Sequence, residues 1–414
     1  MARASALFRT VALVGAAAAM GCAGSSAEPG SRPARTDLPR ALTAQEQQVR
    51  TSANAFSFAL WRQLNTDAPN TNIFVSPLSA SFALGMTMNG AAGQTFDEMR
   101  SALQFGTTPL SDIDAGYKSL ITLLTSLDPG VTMQIANSIW YRNTFTVNKP
   151  FLDVATSSFD ATVSPLDFGD VSGSLGKING WVDTKTNHRI SSILDGIDPN
   201  DVMFLINAIY FKAGWRDKFD PTKTVTAPFH GTTGDRSVSL MHRLDETSYA
   251  ETATYQAVDL PYGDSVFTMT VVLPKDGSSV DAVAASLTVD SWNTLTSAFR
   301  SSSVDLYLPK MKLEWQKSLI PELNALGMHA AFGAADFTPM SPLGKQLFIS
   351  QVRQKAYVDV DEEGTEAAAV TVVGVTLTSA PISRQMRVDR PFIFAIRERL
   401  TGTVLFMGKV LNLP

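Results

Sequence analysis

Ala356-Tyr-Val-Asp-Val-Asp-Glu-Glu-Gly-Thr-Glu-Ala-Ala-Ala-Val-Thr-Val-Val-Gly-Val-Thr376 is the stretch on which the fold turns. It opens as an alternating strand, Ala356 to Val360, and runs into the acids Asp361, Glu362 and Glu363. Gly364 follows, and then a long run of small and β-branched residues. Three alanines favour helix, but Val370, Thr371, Val372, Val373 and Val375 favour strand. With period two from Thr365, one face carries Thr365, Ala367, Ala369, Thr371, Val373 and Val375, none charged and none large. Such a face can enter a sheet and lie against packed core. The other face carries Glu366, Ala368, Val370, Val372, Gly374 and Thr376 and tolerates partial exposure. The segment turns polar at Thr378-Ser379 and reaches Pro381, and a loop of this length is usually functional.

Around it the chain alternates helical and strand-like texture. Val49 to Leu64 places Phe56, Leu60, Trp61 and Leu64 on a helical stripe. Pro77 suits a first helical turn with Ser76 as its N-cap, ahead of Phe82 to Met88. Asp112 to Leu127 and Ile178 to Leu194 read as further helices. Strands are expected at Val131 to Trp140, Val266 to Leu273, Val304 to Leu308, Phe392 to Arg397 and Val404 to Val410. Val202 to Phe211 is nearly all apolar, as for a strand buried on both faces. No interdomain linker and no fixed-period repeat breaks Thr43 to Pro414. Residues 43–414 therefore read as one large α+β domain, although 414 residues would ordinarily suggest two or three.

Composition limits the function classes. Hydrophobic residues are 44% and charged residues 18%, enough to bury a sizeable core without staples. Net charge is −5, which argues against nucleic acid as a partner. The single cysteine allows no intrachain disulfide and no Cys-rich metal site. Histidines 188, 230, 242 and 329 are scattered, and His188 with Arg189 reads as surface. There is no G-x-S-x-G elbow, P-loop or dinucleotide fingerprint. Asp359, Asp361, Glu362 and Glu363 could be imagined as an acid/base pair or calcium ligands, but a solvated strand end is the simpler reading. No enzyme, no metal and no cofactor is expected.

The N-terminus reads as a targeting signal. Arg3 and Arg9 precede an apolar run from Thr10 to Met20, too short to span a bilayer as a mature helix. Ala19-Met-Gly-Cys22 resembles a bacterial lipobox, with Ala19 where Leu is more usual. Residues 1–21 would be removed and Cys22 acylated, which anchors a protein firmly when several chains are attached. Ordinary secretory cleavage is the alternative. Residues 22–42 are rich in Ser, Gly, Pro, Ala and Arg and read as a flexible tether.

The chain resembles the serpin family. Met386-Arg-Val-Asp-Arg-Pro-Phe-Ile-Phe-Ala-Ile396 matches its C-terminal signature, and Glu362-Glu-Gly-Thr-Glu-Ala-Ala-Ala369 its hinge. Asn72 to Thr95, Asn137-Ser-Ile-Trp140, Asn207 to Trp215, Leu260-Pro-Tyr262 and Leu308-Pro-Lys310 match further blocks in order. The resemblance implies about three β-sheets, roughly nine helices and an exposed reactive-centre loop. It also implies suicide inhibition. A serine protease attacks the loop, forms an acyl-enzyme, and is carried off as the loop inserts into the central sheet. The hinge residues are then Glu362, Gly364, Thr365, Glu366, Ala367, Ala368 and Ala369. Ser76, Ser79, Asn207 and Trp215 resemble the shutter and breach beneath the opening sheet. Gln354 stands where the family usually has histidine. Lys310 and Glu362 correspond to an ion pair at the loop base.

Counting from Gly364 as in the family implies a scissile bond at Thr378-Ser379. The loop is about two residues longer than in some relatives, which leaves Leu377, Ser379 and Ala380 as alternates. These residues suit an elastase-like or subtilisin-like serine protease better than a trypsin-like one, with a cysteine protease as a further option. Between Phe105 and Gly130 the only cation is Lys118, so glycosaminoglycan activation is not expected. The protein is expected to be a monomer, exported, and held at the cell envelope through its lipid alone. A non-inhibitory surface serpin, acting as a binding or decoy lipoprotein, is the alternative.

Overall fold

The computed structural model describes Met1 and residues 33–198, 201–366 and 383–414. Nine α-helices occur among these residues: α1 (Ala44–Asp67), α2 (Pro77–Met88), α3 (Gly93–Ala102), α4 (Leu110–Ser126), α5 (Lys149–Phe159), α6 (Val171–Lys185), α7 (Val280–Ser286), α8 (Val289–Ala298) and α9 (Ile320–Ala325). The strands are β1 (Ile73–Val75), β2 (Val131–Arg142), β3 (Thr162–Leu166), β4 (Met203–Gly214), β5 (Val225–Gly231), β6 (Gly234–Glu251), β7 (Tyr255–Pro261), β8 (Phe267–Pro274), β9 (Arg300–Pro309), β10 (Met311–Ser318), β11 (Arg353–Val360), β12 (Gly364–Thr365), β13 (Arg384–Arg387), β14 (Phe392–Glu398) and β15 (Val404–Val410). No helix among the described residues is long and apolar enough to cross a membrane.

The strands form two hydrogen-bonded sheets. One has six strands in the order β10-β11-β12-β4-β2-β3. The other follows β1-β15-β14-β8-β7-β6-β9-β13, with β5 on β6. The expected third sheet is continuous with the second, because β6 is long enough to pair with β5, β9 and β7 in turn.

Local chemistry explains the elements. Thr43 caps α1 in a reciprocal box with Glu46. Ser76 caps α2 by accepting from the Ser79 amide, and Pro77 occupies the first turn. The apolar stripe of α1 buries Phe56, Leu60, Trp61 and Leu64. α6 ends at Lys185, short of the expected Leu194, because Asn187 and His188 adopt left-handed backbone. The main core lies between the sheets and under α1, α2 and α4. A second core packs α6 residues Ile178 and Val182 against Trp140, Phe204, Ile206 and Ala208 on the far face of the six-stranded sheet.

β4 departs from the expected burial on both faces. Phe204, Ile206 and Ala208 are buried, but Met203, Leu205 and Asn207 are only half-buried. The cause is the sheet itself. Among the described residues only Gly364 and Thr365 stand between β11 and β4.

Candidate functional site

The site is the slot between β4 and β11. Its upper end is the seat of β12. Gly364 pairs with Gly214, and Thr365 pairs with Ala213 on one side and Val360 on the other. Gly364 has φ +150°, and a Cβ there would collide with the Ala213 carbonyl, so the position demands glycine. Thr365 is 1% exposed, and its hydroxyl lies 2.7 Å from the Tyr262 hydroxyl. Tyr262 stacks on Trp215 at 4.4 Å and 10°. Trp215 donates its indole N–H to the Asp361 carbonyl at 2.8 Å and its amide to the Glu363 carbonyl at 2.8 Å. Burial pushes the Tyr262 phenol well above its ordinary range, so it stays a neutral hydroxyl.

The acids before Gly364 are not a solvated strand end. Asp361 Oδ1 accepts from the Glu363 and Gly364 amides at 2.9 and 3.2 Å, forming the turn that aims Thr365 into the slot. Glu362 is buried and accepts from Lys310 Nζ at 2.7 Å and Thr224 Oγ1 at 2.8 Å. Burial would raise the Glu362 carboxyl, but these hydrogen bonds outweigh it and hold it below its usual value. Glu363 pairs with Lys218 at 2.6 Å. Asp361, Glu362 and Glu363 are thus each partnered by a hydrogen bond or an ion pair. No group of three or more His, Cys, Asp or Glu residues among those described is placed to hold a metal ion.

Glu366 departs from the partly exposed position expected. Its backbone is left-handed, φ +55°, so strand alternation stops there. Its side chain is 2% exposed, with Oε2 3.2 Å from Arg189 Nε. Burial raises its pKa, opposed by a Tyr210 hydrogen bond and by Arg189. Burial, reinforced by Glu366, pushes Tyr210 up to about 12. Arg189, which reads as a surface residue in sequence, is thus the ion-pair partner of Glu366.

The floor of the slot is a polar chain. Gln354, 6% exposed, accepts from the Ser76 amide and donates to the Ser76 carbonyl, both at 2.8 Å. Ser76 Oγ donates to the Leu405 carbonyl at 2.8 Å. Ser79 Oγ donates to Asn207 Oδ1. Asn207 donates to Asn137 Oδ1 at 2.6 Å, and Asn137 donates to the Phe159 carbonyl at 2.8 Å. This chain ties β11, α2, β4, β2 and the end of α5 together. A cavity of about 40 Å³ lies over it, bounded by Ser79, Leu205, Asn207 and Gln354. At the foot of the slot a groove of about 400 Å³ is lined by Phe204, Met340, Phe348, Ile349 and Arg353.

Gln354, Ser76, Ser79, Asn207, Trp215, Lys310, Glu362, Gly364, Thr365 and Glu366 therefore meet along one slot. Ala367, Ala368, Ala369, Leu377, Thr378, Ser379, Ala380 and Cys22 lie outside the described residues. Asn137 and Tyr262 were missed as site residues, though both sit in blocks that carry the family resemblance. Arg189, Thr224 and Lys218 carried no sequence signal, because their partners are distant in the chain.

The family model described as "Serpin (serine protease inhibitor)" matches residues 51–413. A serpin-like protein of Thermococcus kodakarensis is 34% identical over 378 residues, 89% of this chain and 86% of that one. Human neuroserpin is 31% identical, covering 86% of this chain and 90% of its own. The native state of the thermophilic serpin tengpin superposes with TM-score 0.82 at 31% identity, covering 93% and 97% of the two chains. Human thyroxine-binding globulin complexed with thyroxine gives TM-score 0.82 at 29% identity, covering 89% and 100%. With the family model matched over residues 51–413 and these relatives aligned over most of their own length, the chain belongs to the serpin family, whose members are typically serine protease inhibitors.

Proposed function

We propose that this serpin is a suicide inhibitor of serine endopeptidases, of elastase-like or subtilisin-like specificity, and acts by inserting its loop between β4 and β11. The observation that carries the reading is the seated pair Gly364 and Thr365, which among the described residues is a strand already begun between β11 and β4. Continuing the one-to-one antiparallel register carries Val375 to Met203, the first residue of β4. Every residue on the core-facing side of that ladder, from Thr365 through Val375, is small or apolar.

In the proposed reaction the protease serine oxygen attacks the Thr378 carbonyl carbon. The Thr378–Ser379 C–N bond breaks and the serine proton passes through the protease histidine to the leaving amine. An ester then joins Thr378 to the protease, with Leu377, Ser379 and Ala380 as alternative attachment or leaving positions. Insertion must outrun hydrolysis of that ester. A ladder hydrogen bond contributes only about 0.5–1.5 kcal/mol net, while ordering a residue costs about 1–2 kcal/mol. Burial of the uncharged face must supply the difference, which is why charge is absent there. Residues 1–21 and Cys22 belong to the same proposal as a signal and a lipid anchor, making the inhibitor an envelope-bound monomer.

A competing reading, a surface serpin cut without trapping, draws on Glu366. Its left-handed backbone and Arg189 pairing oppose insertion beyond Thr365. Incubating the full chain with elastase, subtilisin, chymotrypsin and trypsin separates the two. The inhibitor gives an SDS-stable adduct and releases a C-terminal peptide beginning at Ser379. Cleavage by all four with no adduct favours the competing reading.

A further inference from the structure

Residues 33–42 were expected to be tether, yet they lie bound along the domain. The Arg35 amide donates to the Asp264 carbonyl at 2.8 Å, and Arg399 Nη2 donates to the Arg35 carbonyl at 2.8 Å. Leu38 and Leu42 are half-buried against the main core. Arg40 grips Glu46 with two hydrogen bonds, at 2.7 and 2.6 Å, beside the start of α1. Backbone bonds, apolar anchors and a bidentate pair hold one short segment at three levels.

The place where it docks matters. Asp264 lies in the turn from Tyr262 to Ser265, where Gly263 and Ser265 have positive φ. That turn is fenced on its other sides. The Gly263 amide donates to the Gly214 carbonyl at 3.0 Å, and Asp128 Oδ2 accepts from the Asp264 amide at 2.7 Å. Arg399 Nε donates to the Ser265 carbonyl at 2.9 Å, so one guanidinium bonds both the turn and Arg35. Tyr262, the first residue of the turn, is the partner of Thr365 in the slot.

We propose that residues 33–42 form a strap that belongs to the inhibitor's working parts. By pinning the Tyr262–Ser265 turn, the strap holds Tyr262 under Thr365 and sets how readily the hinge leaves its seat. Residues 33–42 thereby reach the seat of Thr365 through one turn, with Asp264 at one end and Tyr262 at the other. The consequence for protease trapping rests on the function proposed above; the mechanical coupling does not.

Hydrogen exchange read by mass spectrometry on the full chain tests this. One variant replaces four strap residues together: Arg35→Gly, Thr36→Ser, Asp37→Gly and Leu38→Ser. A second, Arg35→Pro, removes the amide donor to Asp264 while leaving Thr36, Asp37 and Leu38 in place, and covers the case in which the first does not fold. The strap predicts roughly threefold to tenfold faster exchange at residues 262–266 and 364–366 in both variants, the range expected for losing one or two hydrogen bonds. Faster exchange confined to residues 33–42, with the turn and hinge unchanged, overturns the proposal. Failure to trap any protease would sink the functional reading and leave this result standing, so the two are distinguishable.

Discussion

Replacing Gln354 by leucine tests the floor of the slot with least ambiguity, because leucine keeps the volume and removes both polar contacts. Gln354 serves the Ser76 amide and carbonyl at 2.8 Å each, in a fully buried setting. The two losses are unequal. The Ser76 carbonyl keeps a second donor, the Ala80 amide at 3.2 Å. Its loss is that of an ordinary hydrogen bond, about 0.5–1.5 kcal/mol. The amide is left with no acceptor and bears a desolvation cost of about 1–3 kcal/mol. Together Gln354→Leu should destabilise the domain by about 2–4 kcal/mol, a large part of a typical total of about 5–15 kcal/mol. Urea unfolding at pH 7 reads this as a lower midpoint with unchanged slope. Gln354→Glu adds a sign test. Its carboxylate can accept from the Ser76 amide but presents an oxygen to the carbonyl, and burial raises its folded pKa above the unfolded value. Its stabilising contribution is therefore present at low pH and lost as pH rises through the folded pKa. That variant should lie closer to the parent at pH 5 than at pH 8. A leucine variant within 0.5 kcal/mol of the parent, taking ~0.5 as the scatter of neutral surface changes, would refute the reasoning.

Thr365→Arg places a charge in a seat that is 1% exposed and orphans the Tyr262 hydroxyl; its loop should be cut by the protease that wild type traps, with no SDS-stable adduct. Gly364→Ala cannot keep φ +150° against the Ala213 carbonyl, a strain of about 1–3 kcal/mol, and should raise hydrogen exchange at residues 364–366. Burial pushes Asp114 up to about 6, with only Asn89 hydrogen bonding to lower it. Since the folded value exceeds the unfolded one, its protonated form favours folding below pH 4 and that contribution is lost as pH rises through 6. Asp114→Asn should therefore stabilise the protein by on the order of 2 kcal/mol at pH 8 and change little at pH 4, as measured by urea midpoints at both values.

The seat of Gly364 and Thr365 was legible in sequence because its requirements are compositional: a turn of acids, a glycine, and then an uncharged residue. Thr365 sits on the core-facing side, as that alternation predicts. Glu366 defeated the same rule, since alternation holds only while the backbone stays extended, and one left-handed residue ends it. The floor was half legible. Ser76, Ser79 and Asn207 were marked, but the partner of Gln354 is the Ser76 backbone, which no side-chain pattern announces. Arg189 lay hidden for a different reason. A charge at a polar helix end ordinarily faces solvent, and its partner Glu366 is brought to it only by the sheet. Residues 33–42 were misjudged because composition measures apolar content, whereas a few backbone bonds, two leucines and one arginine pair suffice to dock a short segment.

The central claim is that the loop enters the slot between β4 and β11 in the register begun by Gly364 and Thr365. The crystal structure of the chain cleaved after Thr378 tests it most directly. The account predicts a new strand through Val375, with Val375 opposite Met203 and Thr371, Val373 and Val375 facing the core above Asn207. A cleaved chain whose loop remains outside the sheet, or which inserts with those side chains toward solvent, would contradict it.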